Sequence, residues 1–507
     1  MRFQKFITYY RDIIYSYEYE NINIAVYNIN NEYEFIENNY LKELVNIITF
    51  KDVNSIKEEY KKSFIAVYNK NTDKTILLND YFGLCTIYWK NECDKISFDI
   101  DLKNLKSNEG ICEESIDMFF SLQYIPSPYT IWSDIYKMKS GEMLVCENSM
   151  IKSTYKKLGS YGRKDEFKIL DIKEFRKKEG NQYCFLSGGL DSSTNIYYLS
   201  EINEKKPIGL NAYFGYKDFD ESSDAEVMSP YCLKMYKIKI DIDDVYTNFS
   251  DIVSCYDEPI ADMASVSTYI LLSKVYISEL DSLFSGEGGD EMFGLPRRFK
   301  KEFINMQIDK LIDEYIKEIS IMNKDFKSYI YKKNMKNVNK NFLKNEFVNM
   351  CIYSDNILNI YNIHMNSWFP SNALTKDKKI ANKFGIKIYF PLANANIENK
   401  YIIKNNNRYV SLKDKKLLRN DNKNILPKQI LEKSKQSYKL PFKEWMQESS
   451  FKKFIYSELF NSANSRLWDY IDKEKLYEKF QSHCKGNNYS REFWLLLTLN
   501  EWLKQNV

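Results

Sequence analysis

Histidine is nearly absent from this chain: His364 and His483 are the two among 507 residues, and they lie far apart. A histidine zinc centre or a histidine-dependent triad needs more imidazole than that, so each is read as structural. There is no Cys-x-x-Cys pair either. The nine cysteines, at 85, 93, 112, 146, 184, 232, 255, 351 and 484, are odd in number and scattered, which fits reduced thiols in the cytoplasm rather than a disulfide framework. No stretch reaches about 18 apolar residues, so no membrane span is expected. The opening MRFQKFITYYRDIIYSYEYE has no apolar core followed by a small-residue cleavage site, and secretion is not expected. Charge of one sign is also lacking, because 73 Lys+Arg against 70 Asp+Glu leave only +3. That is too little field to gather nucleic acid or an anionic membrane. What remains is ordinary for a folded protein, 44% hydrophobic and 28% charged. The 41 tyrosines accompany abundant Lys, Ile and Asn throughout, a uniform bias rather than a binding surface.

At roughly 150 residues per domain, the length suggests about three domains or two large ones. Residues 1 to 155 carry short apolar or alternating runs, NINIAVYNI, SFIAVYNK, KTILLND, CTIYWK, KISFDID and EMLVCE, with turn residues such as Asn71 to Asp73 between them. They predict a β-rich domain. Residues 156 to 178 are polar and charged with little apolar period, and are read as a linker. From 179 to 507 the pattern becomes strand, loop, helix. YCFL, KPIGLNAYFG, KMYKIKIDID and LDSLF are strands; helices are expected after the first, over 221 to 236 and over 264 to 279. Such alternation implies a doubly wound parallel sheet, hence an α/β protein. Residues 297 to 507 are mostly helical in period.

Two loops carry the chemistry. Ser187-Gly188-Gly189-Leu190-Asp191-Ser192-Ser193 sits between the strand YCFL and a helix. Ser and Gly let backbone amides approach a phosphate chain, and the helix aims its positive end at the same point. The plainer reading is a Ser/Gly turn that caps a helix. It is not the Gly-x-x-x-x-Gly-Lys-Ser/Thr loop of γ-phosphate chemistry. Asp191 beside phosphate makes sense only with a cation between them, which implies Mg2+. The second loop, Ser285-Gly286-Glu287-Gly288-Gly289-Asp290, follows LDSLF. Loops at the carboxyl ends of parallel strands converge at the crevice of an open α/β sheet, so Asp191 and Asp290 can share one metal-pyrophosphate unit.

SGGLDSS resembles the pyrophosphate loop of N-type ATP pyrophosphatases, and SGEGGDEMFG resembles its partner in the asparagine synthetase family. DEPIADMASVSTYILL (257 to 272) and LLRNDNKNILPKQILEKSKQSYKLPFKEWM (417 to 446) are similar to further family segments. LLNDYFGLCTIYW and IPSPYTIWSDIYKMKSGEML resemble degenerate pieces of the family's glutaminase half. The resemblance implies a degenerate glutaminase-like N-terminal sandwich followed by an ATP pyrophosphatase domain. In the family, the glutamine nucleophile is an amino-terminal Cys, where this sequence has Arg2, with Cys85 its earliest cysteine. The first domain is therefore expected to be a glutaminase relic, with Cys85 a buried hydrophobe. Over FGIKIYFPLA (384 to 393), Lys387, Tyr389 and Ala393 stand where family asparagine synthetases carry Glu, Arg and Asp. The Lys-x-Gly-Phe motif has become Lys435-Gln436-Ser437-Tyr438.

The resemblance further implies that ATP is split between its α- and β-phosphates to make an acyl-adenylate. It assigns Ser187, Gly188, Gly189, Ser192 and Ser193 to pyrophosphate, Asp191 and Asp290 to Mg2+, and Ser285 with Gly286 to the nucleotide. Lys435 is the catalytic cation; composition alone would make it a solvated lysine. Glu287 orients or deprotonates the attacking amine, and its counterpart in the family's β-lactam synthetases is Tyr. Members without the nucleophilic Cys include lasso-peptide macrolactam synthetases. The expected partners are therefore a carboxylate and an amine on a precursor peptide, with a leader-binding protein and a protease beside it. An ammonia-using asparagine synthetase and an inactive scaffold are the alternatives.

Overall fold

The computed structural model describes residues 14–19, 22–28, 63–80, 83–92, 95–147, 150–155, 175, 180–216, 219–278, 281–339, 341–394, 408–433, 440–461 and 465–507. The chain divides into two compact units, one of residues 1–112, 126–160 and 365–371, the other of 113–125, 161–364 and 372–507.

In the first unit, β1 (Ile14–Tyr19), β2 (Ile22–Asn28), β3 (Ser63–Asn69) and β4 (Lys74–Leu78) join β8 (Glu142–Glu147) and β9 (Met150–Tyr155) in an antiparallel sheet ordered β1-β2-β3-β4-β8-β9. β5 (Tyr88–Glu92), β6 (Lys95–Asp99) and β7 (Tyr136–Lys137) form a second sheet, β6-β5-β7. Phe64, Ala66, Leu77, Leu144 and Cys146 from the first sheet meet Ile96 and Phe98 from the second in one core, the sandwich that the alternating runs imply. The turn joining β3 to β4 is set by Asn71 N–H donating to Asn69 Oδ1 and by Asp73, which takes a left-handed φ of 48°. β1, β7 and β9 were not among the expected strands. β7 is two residues long, too short to carry a periodic signal.

The second unit is built on a five-stranded, wholly parallel sheet. Its strands are β10 (Gln182–Phe185), β11 (Ile208–Tyr213), β12 (Lys234–Lys239), β13 (Ser282–Phe284) and β14 (Lys387–Tyr389), ordered β12-β11-β10-β13-β14. The chain runs outward from β10 to β12, then crosses back to β13, so the order reverses between β10 and β13. That reversal is where ligands bind in open α/β sheets. The helices needed below are α1 (Glu113–Leu122), α2 (Leu190–Ile202), α3 (Ser222–Glu226), α4 (Ile242–Ser254), α5 (Ala264–Lys274), α6 (Gly289–Phe293), α7 (Asn356–Asn366), α8 (Thr375–Lys383), α9 (Lys416–Asn422) and α10 (Ser490–Asn506). Ile196 and Leu199 of α2, Phe293 of α6 and Leu418 of α9 cover Cys184 and Phe284 of the sheet. α5 packs against α4, α8 and β11.

Two expectations need correction. The helix placed over 221–236 is only α3, then a 3-10 turn at Ser229–Tyr231 and strand β12. Pro230 lacks an amide proton and disfavours a helical Ser229, so the α-helix cannot continue. The helix placed over 264–279 ends at Lys274, because Val275 is extended (φ −122°, ψ 121°). Of the segment read as a linker, Phe175 is described, and it is fully buried in the second unit's core, 5.2 Å from the Tyr198 ring. Residues 113–125, early in the sequence, belong to the second unit; there Asp117 of α1 accepts hydrogen bonds from Lys327 Nζ and Tyr331 Oη, both at 2.7 Å. Among the described residues, no helix is long and apolar enough to cross a membrane.

Candidate active site

β10 and β13 are direct neighbours, with Tyr183 paired to Leu283 and Cys184 to Phe284. Their carboxyl ends deliver the two loops side by side. Gly188 adopts φ 74°, and a Cβ there would lie 2.4 Å from the Asp224 carbonyl carbon of α3. Only glycine fits. Gly189 precedes α2 without any side chain capping the helix, so its first amides remain open to an anion. Within this loop the hydroxyls are weakly committed. Ser187 Oγ and Ser192 Oγ lie 3.3 Å apart, Gly189 N–H reaches Ser187 Oγ at 3.3 Å, and Ser192 Oγ reaches Gly189 O at 3.2 Å. These are longer than the usual hydroxyl distance of about 2.7–2.8 Å, so an incoming phosphate oxygen displaces little. Ser193 Oγ is buried with no hydrogen-bond partner among the described residues.

Buried asparagines tie the frame together. Asn195 of α2 donates to Ser285 O at 2.9 Å, and Asn211 of β11 donates to Leu186 O at 2.8 Å. In the second loop, Gly288 takes φ 97°, and its absent Cβ would strike Ala393 N at 2.5 Å. A Cβ on Gly289 would lie 2.4 Å from Asp191 Cγ, and one on Gly286 would be 3.3 Å from Ser192 N. The two loops therefore touch through glycines, which bring Asp191 and Asp290 to one place. Glu291 holds the turn: it accepts from Gly288 N–H at 3.2 Å and lies 3.2 Å from His364 Nε2 of α7. His364 thus supports the loop. His483 is buried between the carbonyls of Met446 and Asn487, each at 3.1 Å.

The residue that joins the two aspartates was not singled out in the sequence. Lys415 Nζ lies 2.8 and 2.6 Å from the two oxygens of Asp191 and 2.5 Å from Asp290 Oδ1, with its side chain 5% exposed. Burial works to lower the Lys415 pKa, but the two carboxylates more than offset this and hold it above the usual lysine value. Its backbone is left-handed, φ 50°, just before α9. Arg419 braces this bend by donating to Asp414 O at 2.7 Å, and it also donates to Leu431 O and to Lys433 O at 2.8 Å. Lys413, Lys415 and Lys416 crowd the same stretch, so composition offers no signal; the neighbouring Leu-Arg pair was the one available pointer. Lys435, with Gln436, Ser437 and Tyr438, lies outside the described residues.

Two carboxylates sharing one cation suit Mg2+, which is held by one or two carboxylates plus phosphate oxygens. Among the described residues no three His, Cys, Asp or Glu side chains gather as a metal site.

A second charged group lies beside the first. Ser285 is buried and its hydroxyl is engaged, donating to Asp377 Oδ2 at 3.0 Å and accepting from Glu287 N–H at 3.3 Å. Glu287 Oε1 is 3.5 Å from Lys376 Nζ, which also meets Asp377 Oδ1 at 2.5 Å. Protein atoms crowd Glu287, yet 32% of its side chain stays open. Its pKa is pushed up to about 8 by burial, with Lys376 pulling it down and Asp377, Glu291 and Asp262 pushing it up. Such a carboxyl can exchange a proton near neutral pH. On β14, Tyr389 is 6% exposed and stacks on Phe284 at 5.4 Å, and Ala393 is fully buried against Gly288.

The asparagine synthase family profile matches residues 179–504, and a glutamine amidotransferase domain profile matches 57–156. The chain is similar to asparagine synthetase [glutamine-hydrolyzing] 1 of Bacillus subtilis, at 23% identity over 84% of this chain and 75% of that protein. It is also similar to putative asparagine synthetase [glutamine-hydrolyzing] 2 of Methanocaldococcus jannaschii, at 25% identity over 42% of this chain and 45% of that protein. A putative asparagine synthetase [glutamine-hydrolyzing] of Mycobacterium tuberculosis is 20% identical over 77% of this chain and 67% of that protein. The chain belongs to the asparagine synthase family and is an ATP-dependent carbon–nitrogen ligase.

Proposed function

We propose that the enzyme adenylates an Asp or Glu side chain of a peptide and joins it to the peptide's own amino terminus, closing a macrolactam. The observation that carries the peptide reading is β14 and the turn that follows it. Positions 389 and 393 present a ring stacked in the core and a buried methyl group, neither of which can pair with the charged groups of free aspartate. In the first half-reaction the carboxylate attacks the α-phosphorus and pyrophosphate leaves. Ser187, Gly188, Gly189, Ser192 and Ser193 cradle the departing pyrophosphate, while Gly286 and the Ser285 backbone border the nucleotide. The Ser285 hydroxyl is already given to Asp377. Lys415 and, by family resemblance, Lys435 face the charge that develops. Asp191 and Asp290 would hold a Mg2+ ion, which would supply charge neutralisation at the pyrophosphate. In the second half-reaction the amine attacks the acyl carbon, AMP leaves, and Glu287 accepts the amine's proton.

The amine is not expected to come from glutamine. Cys85 and Cys146 are buried in the first unit's core, where neither is placed as a nucleophile. Glutamate release from glutamine should stay at the no-enzyme background; release that a thiol reagent abolishes would overturn this. The competing reading, asparagine synthesis from ammonia, is favoured by the names of the relatives and is separated by one assay. ATP and Mg2+ are supplied with either free aspartate plus ammonium or a linear peptide with a free amino terminus and an internal aspartate or glutamate. AMP and pyrophosphate with a peptide product lighter by one water are expected. ADP would overturn the adenylation reading, and asparagine as the sole product would overturn the peptide one.

A further inference from the structure

Lys376 is a lysine that the chemistry above does not use, yet it is almost completely enclosed. Its side chain is 4% exposed and that of Asp377 is 3% exposed. An isolated buried ammonium is costly, and ion pairs offset that cost only with good geometry and further hydrogen bonds. Here those are present: Asp377 accepts from Thr268 Oγ1 of α5 at 3.1 Å and from Ser285 Oγ at 3.0 Å. If neutralising Asp377 were its whole purpose, the ammonium would not also have to face the second loop. It does face it, 3.5 Å from Glu287 Oε1.

Resting on the assignment of Glu287 as the group that receives the amine's proton, we infer that Lys376 is a positioning residue that aims the Glu287 carboxyl toward the amine and favours its charged form. The surroundings explain why a cation is needed. Asp377 from α8, Glu291 from α6 and Asp262 from the segment before α5 all act on Glu287 with the same negative sign. Asp262 is itself anchored by Asn372 Nδ2 at 2.6 Å and Ala264 N–H at 3.0 Å. Lys376 is the cation among the groups that act on Glu287. Without it, burial and three carboxylates would favour the protonated acid, which cannot accept a proton, more strongly still. Asp377 and its two hydroxyl donors then serve to keep the ammonium in place.

The test has two arms. In the first, Glu287 is labelled by a water-soluble carbodiimide with an amine over a pH series and read by peptide mass spectrometry, which needs no turnover. The midpoint should rise by about one pH unit or more in Lys376→Met and stay near the wild-type value in Lys376→Arg. An unchanged midpoint in Lys376→Met overturns the inference. If Lys376→Met does not fold because Asp377 is left unpaired, Lys376→Met/Asp377→Asn is compared with Asp377→Asn alone, which cancels the loss of that carboxylate, and the midpoint should again be higher in the double variant. In the second arm, the linear peptide of the preceding section is the probe. Amide formation at pH 7 should drop at least about tenfold, its acid limb should move upward, and ATP–pyrophosphate exchange should stay near wild type. Equal loss of exchange and amide formation would mean a merely structural lysine and overturn the inference. If Glu287→Gln forms amide at the wild-type rate, the proton-acceptor reading fails, and the labelling arm still decides whether Lys376 controls Glu287.

Discussion

With Lys415 replaced by methionine, ATP–pyrophosphate exchange is expected to fall about a hundredfold or more, the usual loss when one preorganised charge-stabilising group is removed. The free protein should also melt at a lower temperature, and added Mg2+ should recover part of that loss. Both follow from one geometry: an ammonium enclosed between Asp191 and Asp290 at 2.5–2.8 Å. Removing it leaves two carboxylates facing a shared point, where like charges repel. Breaking a fully buried pair costs about 3–5 kcal/mol, but Asp191 and Asp290 are 26% and 42% exposed, so water screens part of it and about 1–2 kcal/mol is expected. Mg2+ returns positive charge to the same carboxylates. In the wild-type protein the metal gains less, because the ammonium is already there. Thermal melts with and without Mg2+ separate this from a rate effect. A Mg2+ response equal in both proteins would mean that the aspartates do not form a shared cation seat, and an exchange loss below about threefold, under 1 kcal/mol, would remove Lys415 from the chemistry. Lys415→Arg should rescue poorly, since a planar guanidinium cannot copy a compact ammonium in an enclosed seat.

What could be read from the sequence follows from the kind of physics that sets each feature. The loops at 187–193 and 285–290 were legible because their glycines are demanded locally, by a left-handed φ at Gly188 and Gly288. Their convergence was legible because parallel strands end on one edge. Lys415, Lys376 and Asp377 were not. In KDKK and TKDKK each reads as a solvated helix face, and the enclosure that gives each a role comes from elements distant in sequence. The same holds for β14, a three-residue strand whose partner β13 lies about a hundred positions earlier, and for α1, which a reading by sequence order assigns to the first domain. The helix expected over 221–236 failed for a local reason, Pro230, which the sequence did display.

Adding one methyl group at Gly188 is expected to abolish ATP–pyrophosphate exchange and to destabilise the protein by about 2–5 kcal/mol, the sum of backbone strain and overpacking. The strain arises because φ is 74°, a left-handed value that costs an L-residue about 1–2 kcal/mol. The overpacking arises because the new Cβ would lie 2.4 Å from the Asp224 carbonyl carbon and 2.5 Å from Ala225 N. Both are backbone atoms and cannot rotate away. Nor is α3 free to retreat, since Asp224 is held by Lys433 Nζ at 2.6 Å and Ala225 is fully buried. The loop must give instead, carrying Ser187 and Gly189 away from Ser192 and Asp191. Gly486→Ala supplies the control. It has φ 103° but nothing within 4 Å of its Cβ position, so it carries the strain without the collision and lies away from both loops in the sequence. It should lower the melting temperature modestly and leave exchange intact. The gap between the two variants measures how firmly the loop is seated on α3. If Gly188→Ala melts with Gly486→Ala and still exchanges pyrophosphate at the wild-type rate, residues 187–193 are not the phosphate cradle.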